Sequence, residues 1–323
     1  MTVVKAIVHT GYGSAHDLEL RELDPPELQP HQVLLRVRAS SVNPVEYYKV
    51  TGPIFSRVTG GLRRPKVHGI GADVAGTVEA VGSDVTELAV GDDVFGLSPH
   101  AWAEYAVARA DRLAKKPANV SFEEAAAAPI AGLTALQALR DQGQLKPGEK
   151  VLINGASGGV GTYAIQIAKV LGGDVTAVCS TAKVDQAREL GADRVVDYTK
   201  EDFTRLGIRH ELMLDVVGSR PFRQFKRVLT PDATVVVVGG PMNSGLGPLP
   251  HLAATFVSGR LRSQRAKFFI AKATRDQLSF LGELLASGKV RSVVERRYEL
   301  TETREAFRHF AQGHARGKVV ITV

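Results

Sequence analysis

Residues 151–172, VLINGASGGVGTYAIQIAKVLG, constrain the fold more than any other stretch of the chain. An apolar run, Val151 to Asn154, passes directly into Gly155, Gly158, Gly159 and Gly161. A helix-period pattern follows, with Val160, Ala164, Ile167, Ala168 and Leu171 on one face. Strand, glycine turn and helix in that order put free N–H groups and the positive end of a helix where a pyrophosphate can sit, and glycines let backbone come close to it. A tight structural turn would use the same glycines, and Ala156 stands where the usual fingerprint begins with Gly. The strand before, the helix after and a further strand about twenty residues on select dinucleotide binding by Gly155, Ala156, Ser157, Gly158, Gly159, Val160 and Gly161.

The chain around this turn divides in two. Up to residue 124 it reads as short strands (VVKAIV, LLRVRAS, DVAGTVEAVG, DDVFGL, AEYAV) separated by Gly, Pro and Asp, the pattern of a small β domain. From Pro147 the runs VLIN, VTAVCS, RVVD, ELMLDVVG and TVVVVGG alternate with helical segments. Continuous Val and Ile runs suit strands covered on both faces, so a doubly wound parallel sheet is expected over 125–288. Leu278, Leu281, Leu284 and Leu285 fall at helical spacing before Gly288, a helix expected to close that nucleotide domain. The strand RRYEL, a helix near 303–311 and the strand KVVITV then return residues 289–323 to the β domain, making it discontinuous.

Composition removes several functions. The single cysteine, Cys179, excludes an intrachain disulfide and any multi-cysteine zinc site, which points to a reducing, cytoplasmic setting. No run of signal-peptide or membrane-spanning character stands out, so no membrane partner is expected. The net charge of +7 is uneven: residues 1–255 hold 27 basic and 28 acidic side chains, whereas 256–323 hold 14 and 6. Lys and Arg there alternate with apolar residues at structured spacing and few aromatics, which favours solvated faces or an anionic ligand over nucleic acid.

Cofactor choice is read at the end of the second strand of the nucleotide domain. NAD sites usually carry an acid there for the ribose 2′-hydroxyl, and a carboxylate would repel a 2′-phosphate. VTAVCS ends instead in Ser180 and Thr181, with Lys183 close behind, a pattern that favours NADPH. The competing reading of Lys183 is an exposed lysine at a helix start.

With these features the chain resembles the medium-chain dehydrogenase/reductase superfamily, in its zinc-independent quinone oxidoreductase branch, over essentially its whole length. The carriers are ASSVNPVEYYKVTG (39–52), GADVAGTVEAVGSDV (71–85), GDDVFGL (91–97), AAAAPIAGLTALQAL (125–139), the GASGGVG turn and the terminal GKVVITV. The resemblance implies a Rossmann domain beside a GroES-like β-barrel catalytic domain (1–124 and 289–323), and a homodimer. Where zinc alcohol dehydrogenases of the superfamily carry three metal ligands, this chain has Asn43, Ala72 and Ile130, none able to bind zinc by thiolate or imidazole. Unactivated alcohols are poor substrates without a Lewis acid. Quinones and α,β-unsaturated carbonyls accept hydride directly, because delocalisation spreads the developing charge.

The resemblance also implies roles for single residues. Asn43 and Tyr48 are the expected catalytic donors, Asn43 contacting the cofactor as well; as a plain sequence feature Asn43 is equally a turn residue before Pro44. Tyr47 would point away from Tyr48 if the segment were extended. Thr134 resembles a threonine at a helix start facing the nicotinamide, Tyr198 the residue near the adenine and 2′-phosphate, and Gly239 and Gly240 the pair beside the nicotinamide ribose. Phe268 and Phe269 would approach the carboxamide, or else are plain core. Asp73 reads as structural, and Arg262 lies in a loop, 241–265, that matches the family poorly. The expected activity is NADPH-dependent reduction of a quinone or enone. The alternatives are zinc-independent reduction of other carbonyls, or a non-catalytic nicotinamide-binding role of the crystallin or nucleic-acid-binding kind.

Overall fold

Alternation of buried and exposed side chains builds the first strands. In β3 (Gln32–Ser41), Val33, Leu35, Val37 and Ala39 face inward while Arg36 and Arg38 face solvent, the period-2 signature of a strand with one covered face. The computed structural model describes residues 3–65, 68–240, 265–313 and 315–323. They form two units: one runs to Leu133 and resumes at Lys272, the other is Thr134–Ala271. Residues 241–264, with Arg262, lie outside the described residues.

In the first unit, β1 (Val4–His9) pairs antiparallel with β2 (Leu18–Leu23). After β3 the chain forms two helices, α1 (Pro44–Thr51) and α2 (Ile54–Gly60), then β4 (Asp73–Val81), β5 (Asp93–Leu97), β6 (Tyr105–Arg109) and β7 (Leu113–Lys115). Strand β3 is central, paired antiparallel with both β4 and β6. Val33, Leu35, Val74, Val78 and Val94 form one core beneath it. Two further helices, α3 (Phe122–Ala127) and α4 (Pro129–Leu136), lead out of this unit. Ser121 caps α3 through its hydroxyl, which accepts from Glu124 N–H, while the Glu124 carboxylate accepts from Ser121.

The second unit holds β8 (Lys150–Asn154), α5 (Gly159–Val170), β9 (Asp174–Cys179), α6 (Val184–Glu189), β10 (Arg194–Asp197), β11 (His210–Asp215), the short α7 (Phe222–Phe225), β12 (Leu229–Val237) and β13 (Arg265–Phe268). All six strands are parallel, in the order β10-β9-β8-β11-β12-β13. The covered strands are mostly apolar, as the Val and Ile runs require, with buried Thr176 and His210 hydrogen-bonded to each other, and α5 is buried continuously from Gly161 to Ala168.

The chain ends in the first unit with α8 (Arg275–Ala286), β14 (Val294–Glu299), α9 (Thr303–Ala311) and β15 (Lys318–Thr322). Strand β15 pairs antiparallel with β3 and parallel with β14, completing a seven-stranded sheet. Helix α8 forms where its leucines repeat, but it groups with the first unit and does not close the nucleotide domain. The ring of Phe95 and Pro117 lie against Gly282, and Arg275 pairs with Glu87 at 3.0 Å and donates to the Ala110 carbonyl at 3.0 Å. The chain likewise passes between units at Leu133, inside α4, rather than at 124.

Candidate active site

Strand register gathers most of the expected cofactor residues on one edge. Asn154 of β8 lies beside Val178 and Asp215, Cys179 beside Asp197, Asp215 beside Val237, and Val237 beside Phe268. The turns that follow these strand ends carry Gly155–Gly161, Ser180, Tyr198, Gly239, Gly240 and Phe269. The strand order reverses between β8 and β11, and the crevice outside such a reversal is where doubly wound sheets take their ligands.

The glycines at this point have separate tasks. Gly155 has φ +90°, a left-handed conformation that favours glycine, and a Cβ there would fall 2.3 Å from Val217 Cγ2. A Cβ on Gly161 would fall 2.2 Å from the Gly155 carbonyl oxygen, so its absence lets the first turn of α5 press onto the glycine turn. Gly158 differs: among the described residues, only the Gly155 oxygen lies within 4.0 Å of its missing Cβ. The space in front of α5 is therefore an open cradle that a side chain would fill, facing N–H groups that a helix start leaves without intrahelical partners. These residues fit a dinucleotide pyrophosphate.

Sequence reading missed the support of this turn. Asn154 Nδ2 donates to Asp215 Oδ1 at 2.8 Å, and Gly218 N–H donates to the same oxygen at 3.0 Å. Both polar side chains directly follow apolar runs, Val151–Ile153 and Leu212–Leu214, which is the signal that could have found them.

Ser180 and Lys183 are half-buried beyond β9, Lys183 closing a 3-10 turn that starts at Thr181. The Thr181 hydroxyl is spent on Asp197, donating to Oδ2 at 2.6 Å. Thr199 donates to the other oxygen through its N–H at 3.0 Å and its hydroxyl at 2.7 Å. The Thr181 hydroxyl first, then those of Thr199, hold the Asp197 carboxyl down to about 2. An ionised acid thus closes the third strand where the second has none. Tyr198 beside it is exposed, its N–H donating to the Cys179 carbonyl at 3.0 Å.

At the far strands, a Cβ on Gly239 would lie 2.1 Å from the Val216 carbonyl oxygen. Phe268 is 50% exposed and Phe269 half-buried, so Phe268 is not core. Thr134 is not at a helix start. Pro129 opens α4, because proline needs no N–H partner in a first turn, and Thr134 follows on its second turn.

In the first unit Asn43 sits in a buried charge network. Its Nδ2 donates to Asp73 Oδ2 at 2.9 Å and to Ser41 Oγ at 3.5 Å, and its Oδ1 accepts from the Lys318 ammonium at 2.5 Å. Ser41 also donates to Asp73 Oδ2, Ile130 N–H to Asp73 Oδ1 at 2.9 Å, and Lys318 lies 3.3 Å from Asp73 Oδ2. Glu46 accepts from Asn43 N–H at 2.8 Å through Oε2, while its buried Oε1 has no hydrogen-bond partner among the described residues. Burial, and then the Asp73 charge, push the Glu46 carboxyl up to about 7. Lys318 and Glu46 had signals: a lysine in an apolar terminal strand, and an acid three residues after a helix-capping Asn.

The segment after Asn43 is helical, not extended, so Tyr47 and Tyr48 are neighbours on α1 with ring centroids 5.8 Å apart, edge to face. Tyr47 stacks on Phe307 at 6.0 Å, within the core built by Val42, Val50, Ile70 and Trp102. Tyr48 is half-buried, and burial, then Tyr47, push its hydroxyl up to about 12. Its proton is held firmly.

Zinc does not fit the first unit's donors. Asn43 has both amide ends committed, Ala72 and Ile130 offer no side-chain donor, and among the described residues no three His, Cys, Asp or Glu side chains group as a metal site.

Residues 29–118 match the family model described as alcohol dehydrogenase GroES-like domain, and residues 190–321 the one described as zinc-binding dehydrogenase. A chloroplast envelope quinone oxidoreductase homolog from Arabidopsis thaliana is 32% identical over 99% of this chain and 98% of its own. An Arabidopsis thaliana NADPH-dependent alkenal/one oxidoreductase, chloroplastic, is also 32% identical, over 98% of this chain and 79% of its own. Among solved structures, the quinone oxidoreductase from Coxiella burnetii is 31% identical, with TM-score 0.89 and all of both chains covered.

Proposed function

The chain belongs to the medium-chain dehydrogenase/reductase superfamily, in the branch of the quinone oxidoreductases, and from that premise we propose an NADPH-dependent reductase of quinones and α,β-unsaturated carbonyls that works without zinc. The observation that carries the reading is the cradle before α5, bare of side chains at Gly158 and closed behind by Gly155 and Gly161. The relatives named for quinone and alkenal/one reduction support the acceptor class.

The reduced nicotinamide, once bound, supplies the hydride. The α5 N–H groups and the positive end of that helix take the pyrophosphate. Ser180 and Lys183 take the 2′-phosphate, the hydroxyl as donor and the ammonium as counter-charge, and Asp197 stays withdrawn behind Thr181 and Thr199. Tyr48 donates its hydroxyl proton, or a hydrogen bond, to the acceptor oxygen as charge grows there. Asn43 has partners for both amide protons, so its part is to position the start of α1 rather than to touch the oxyanion.

The test is NADPH oxidation by purified protein across a panel of quinones and enones, before and after exhaustive chelation, with metal content measured. Turnover of both classes, unchanged by chelation, is expected. Activity that disappears with a stoichiometric metal, or oxidation of NADPH by neither class, overturns the proposal.

A further inference from the structure

Asp73 and Glu46 are the buried carboxyls of the network around Asn43, and their donors divide unequally. Asp73 accepts from the Ser41 hydroxyl, Asn43 Nδ2 and the Lys318 ammonium on Oδ2, and from Ile130 N–H on Oδ1. Glu46 accepts from Asn43 N–H on Oε2, and Oε1 has no donor among the described residues. Donors favour the ionised form of a carboxyl, whereas burial without them favours the neutral one. Asp73 is thus the carboxyl that balances Lys318, and Glu46 Oε1 is the place for a proton.

The first turn of α1 has little else to hold it. Pro44 and Val45 are exposed, and the first helical hydrogen bond, from Tyr47 N–H to the Asn43 carbonyl, is 3.3 Å long. Asn43 itself is fixed by Asp73 and Lys318, so the helix start depends on it through Glu46 Oε2. The other end is closed by Gly52 N–H on the Tyr48 carbonyl at 3.0 Å. The charges acting on Glu46 are Asp73 at the start of β4, Lys318 at the start of β15 and Lys49 on α1 itself. Toward α9 the helix presents Tyr47 to the Phe307 ring, and Arg57 of α2 is taken by the Gly52 carbonyl and the Tyr12 ring.

We propose that Glu46 is a positioning residue for acceptor reduction: with a proton on Oε1 it holds the start of α1, and Tyr48 with it, in the working arrangement, and loss of that proton releases both. A second negative charge beside Asp73 finds Lys318 already committed, so the ionised side chain must reach water, and the exposed turn at Pro44 and Val45 is where it can do so. Burial, then Asp73, place the Glu46 titration at about 7. The inference rests on Tyr48 as donor to the acceptor oxygen and deepens that reading by making the donor's placement depend on pH.

The test pairs a rate with a signal that needs no turnover. Enone and quinone reduction by wild type and Glu46→Gln is followed from pH 6 to 9, and Trp102 fluorescence is recorded without cofactor over the same range. Trp102, the single tryptophan, donates to the Ser41 carbonyl at 3.4 Å in the core that holds Val42, Val50 and Tyr47, so it reports on α1. Wild-type kcat for an enone should be about fivefold lower at pH 8 than at pH 6, because only about a tenth of the molecules then keep the proton, with KM changed less. Glu46→Gln keeps an oxygen for Asn43 N–H and stays neutral, so it should lack both that fall and the fluorescence inflection near pH 7. Burial, the first of its causes, lowers the His100 titration, and any signal from His100 persists in Glu46→Gln. Lys49 favours the ionised form of Glu46, so Lys49→Met should move the inflection to higher pH, which keeps the test decisive if Glu46→Gln does not fold. An enone rate profile shared by Glu46→Gln and wild type overturns the proposal, as does wild-type fluorescence that stays flat or an inflection that Lys49→Met leaves in place. If neither acceptor is reduced at any pH, the functional reading fails alone: a Trp102 inflection lost in Glu46→Gln still upholds the hold of Glu46 on α1.

Discussion

The Lys318 ammonium lies 3.3 Å from Asp73 Oδ2, with 3% and 0% of the two side chains exposed, so the last strand of the chain is bonded to the start of β4 through a fully buried ion pair. Removing one partner of such a pair leaves the other charged with no water to solvate it, and typically costs about 3 to 5 kcal/mol. Lys318→Met is expected to lose stability on that scale, toward the lower end because Ser41, Asn43 and Ile130 N–H still donate to Asp73. Urea unfolding read by fluorescence checks it. The double change Lys318→Met with Asp73→Asn should recover part of the loss, and no recovery would mean that the cost lies in packing.

The same network makes stability depend on pH. One cation, Lys318, faces two carboxyls, Asp73 and Glu46, with Lys49 on the same helix as Glu46. The Glu46 carboxyl rises from 4.5 to about 7, so the folded protein holds a proton there that the unfolded chain has already released. Its contribution is fully present below about pH 4.5 and is lost as pH rises to about 7, roughly 3 kcal/mol in all. Glu46→Gln keeps an oxygen for Asn43 N–H and removes the titration. The variant should be more stable than wild type at pH 8 and lack that decline; parallel denaturation midpoints for both proteins from pH 5 to 8 would count against it.

Gly158 and Gly161 should respond oppositely to one methyl group. Gly158→Ala places its Cβ no nearer than 4.0 Å to any atom of the described residues, at φ −81°, which alanine adopts freely, so folding should be unchanged while NADPH affinity falls because the methyl occupies the cradle. Gly161→Ala meets backbone at 2.2 and 2.5 Å and should lower the melting temperature before any cofactor is added. Thermal melts and cofactor titration, run on both, separate the effects.

Lys183→Ala should weaken NADPH binding and hardly touch NADH. An ammonium and a hydroxyl on a phosphate are worth about 1 to 3 kcal/mol, roughly 5- to 150-fold in affinity. Titration by nicotinamide fluorescence measures both cofactors. Equal wild-type affinity for the two would place Asp197, held ionised at the next strand end, as the stronger influence on that pocket.

Local pattern carried much of the fold and little of the network. The strands at Asp73, Arg194 and Lys318 and the helix Thr303–Ala311 form where alternation or helical spacing places them, because those patterns are set by immediate neighbours. The segment after Asn43 was harder, since PVEYYKVT mixes β-branched and aromatic residues. What makes it helical is Pro44 in the first turn and Glu46 closing back on Asn43 N–H. Leucine spacing in α8 marked a buried face but could not say that Phe95, rather than the nucleotide sheet, would cover Gly282. The network joins positions 41, 43, 46, 73 and 318, and no window of sequence contains them together.

The last prediction concerns the acceptor. Tyr48 holds its proton with a hydroxyl raised to about 12, so it stays protonated across the working pH range and, in the role proposed for it, can serve as a donor and not as a base. Losing one donor to a full oxyanion typically costs about 2.7 to 4 kcal/mol, and less where water can replace it. A quinone needs little of this help, because its reduced form is already a stabilised anion. An enone needs more, since charge collects on a single oxygen until a proton arrives. Tyr48→Phe is therefore expected to lower kcat for an enone by at least about tenfold and for a quinone by less, with NADPH affinity intact. The ring edge against Tyr47 is kept in this variant, which guards against a packing effect. If both rates are unchanged, solvent supplies the proton and Tyr48 serves packing; if NADPH binding itself is lost, Tyr48 supports the cofactor and not the acceptor.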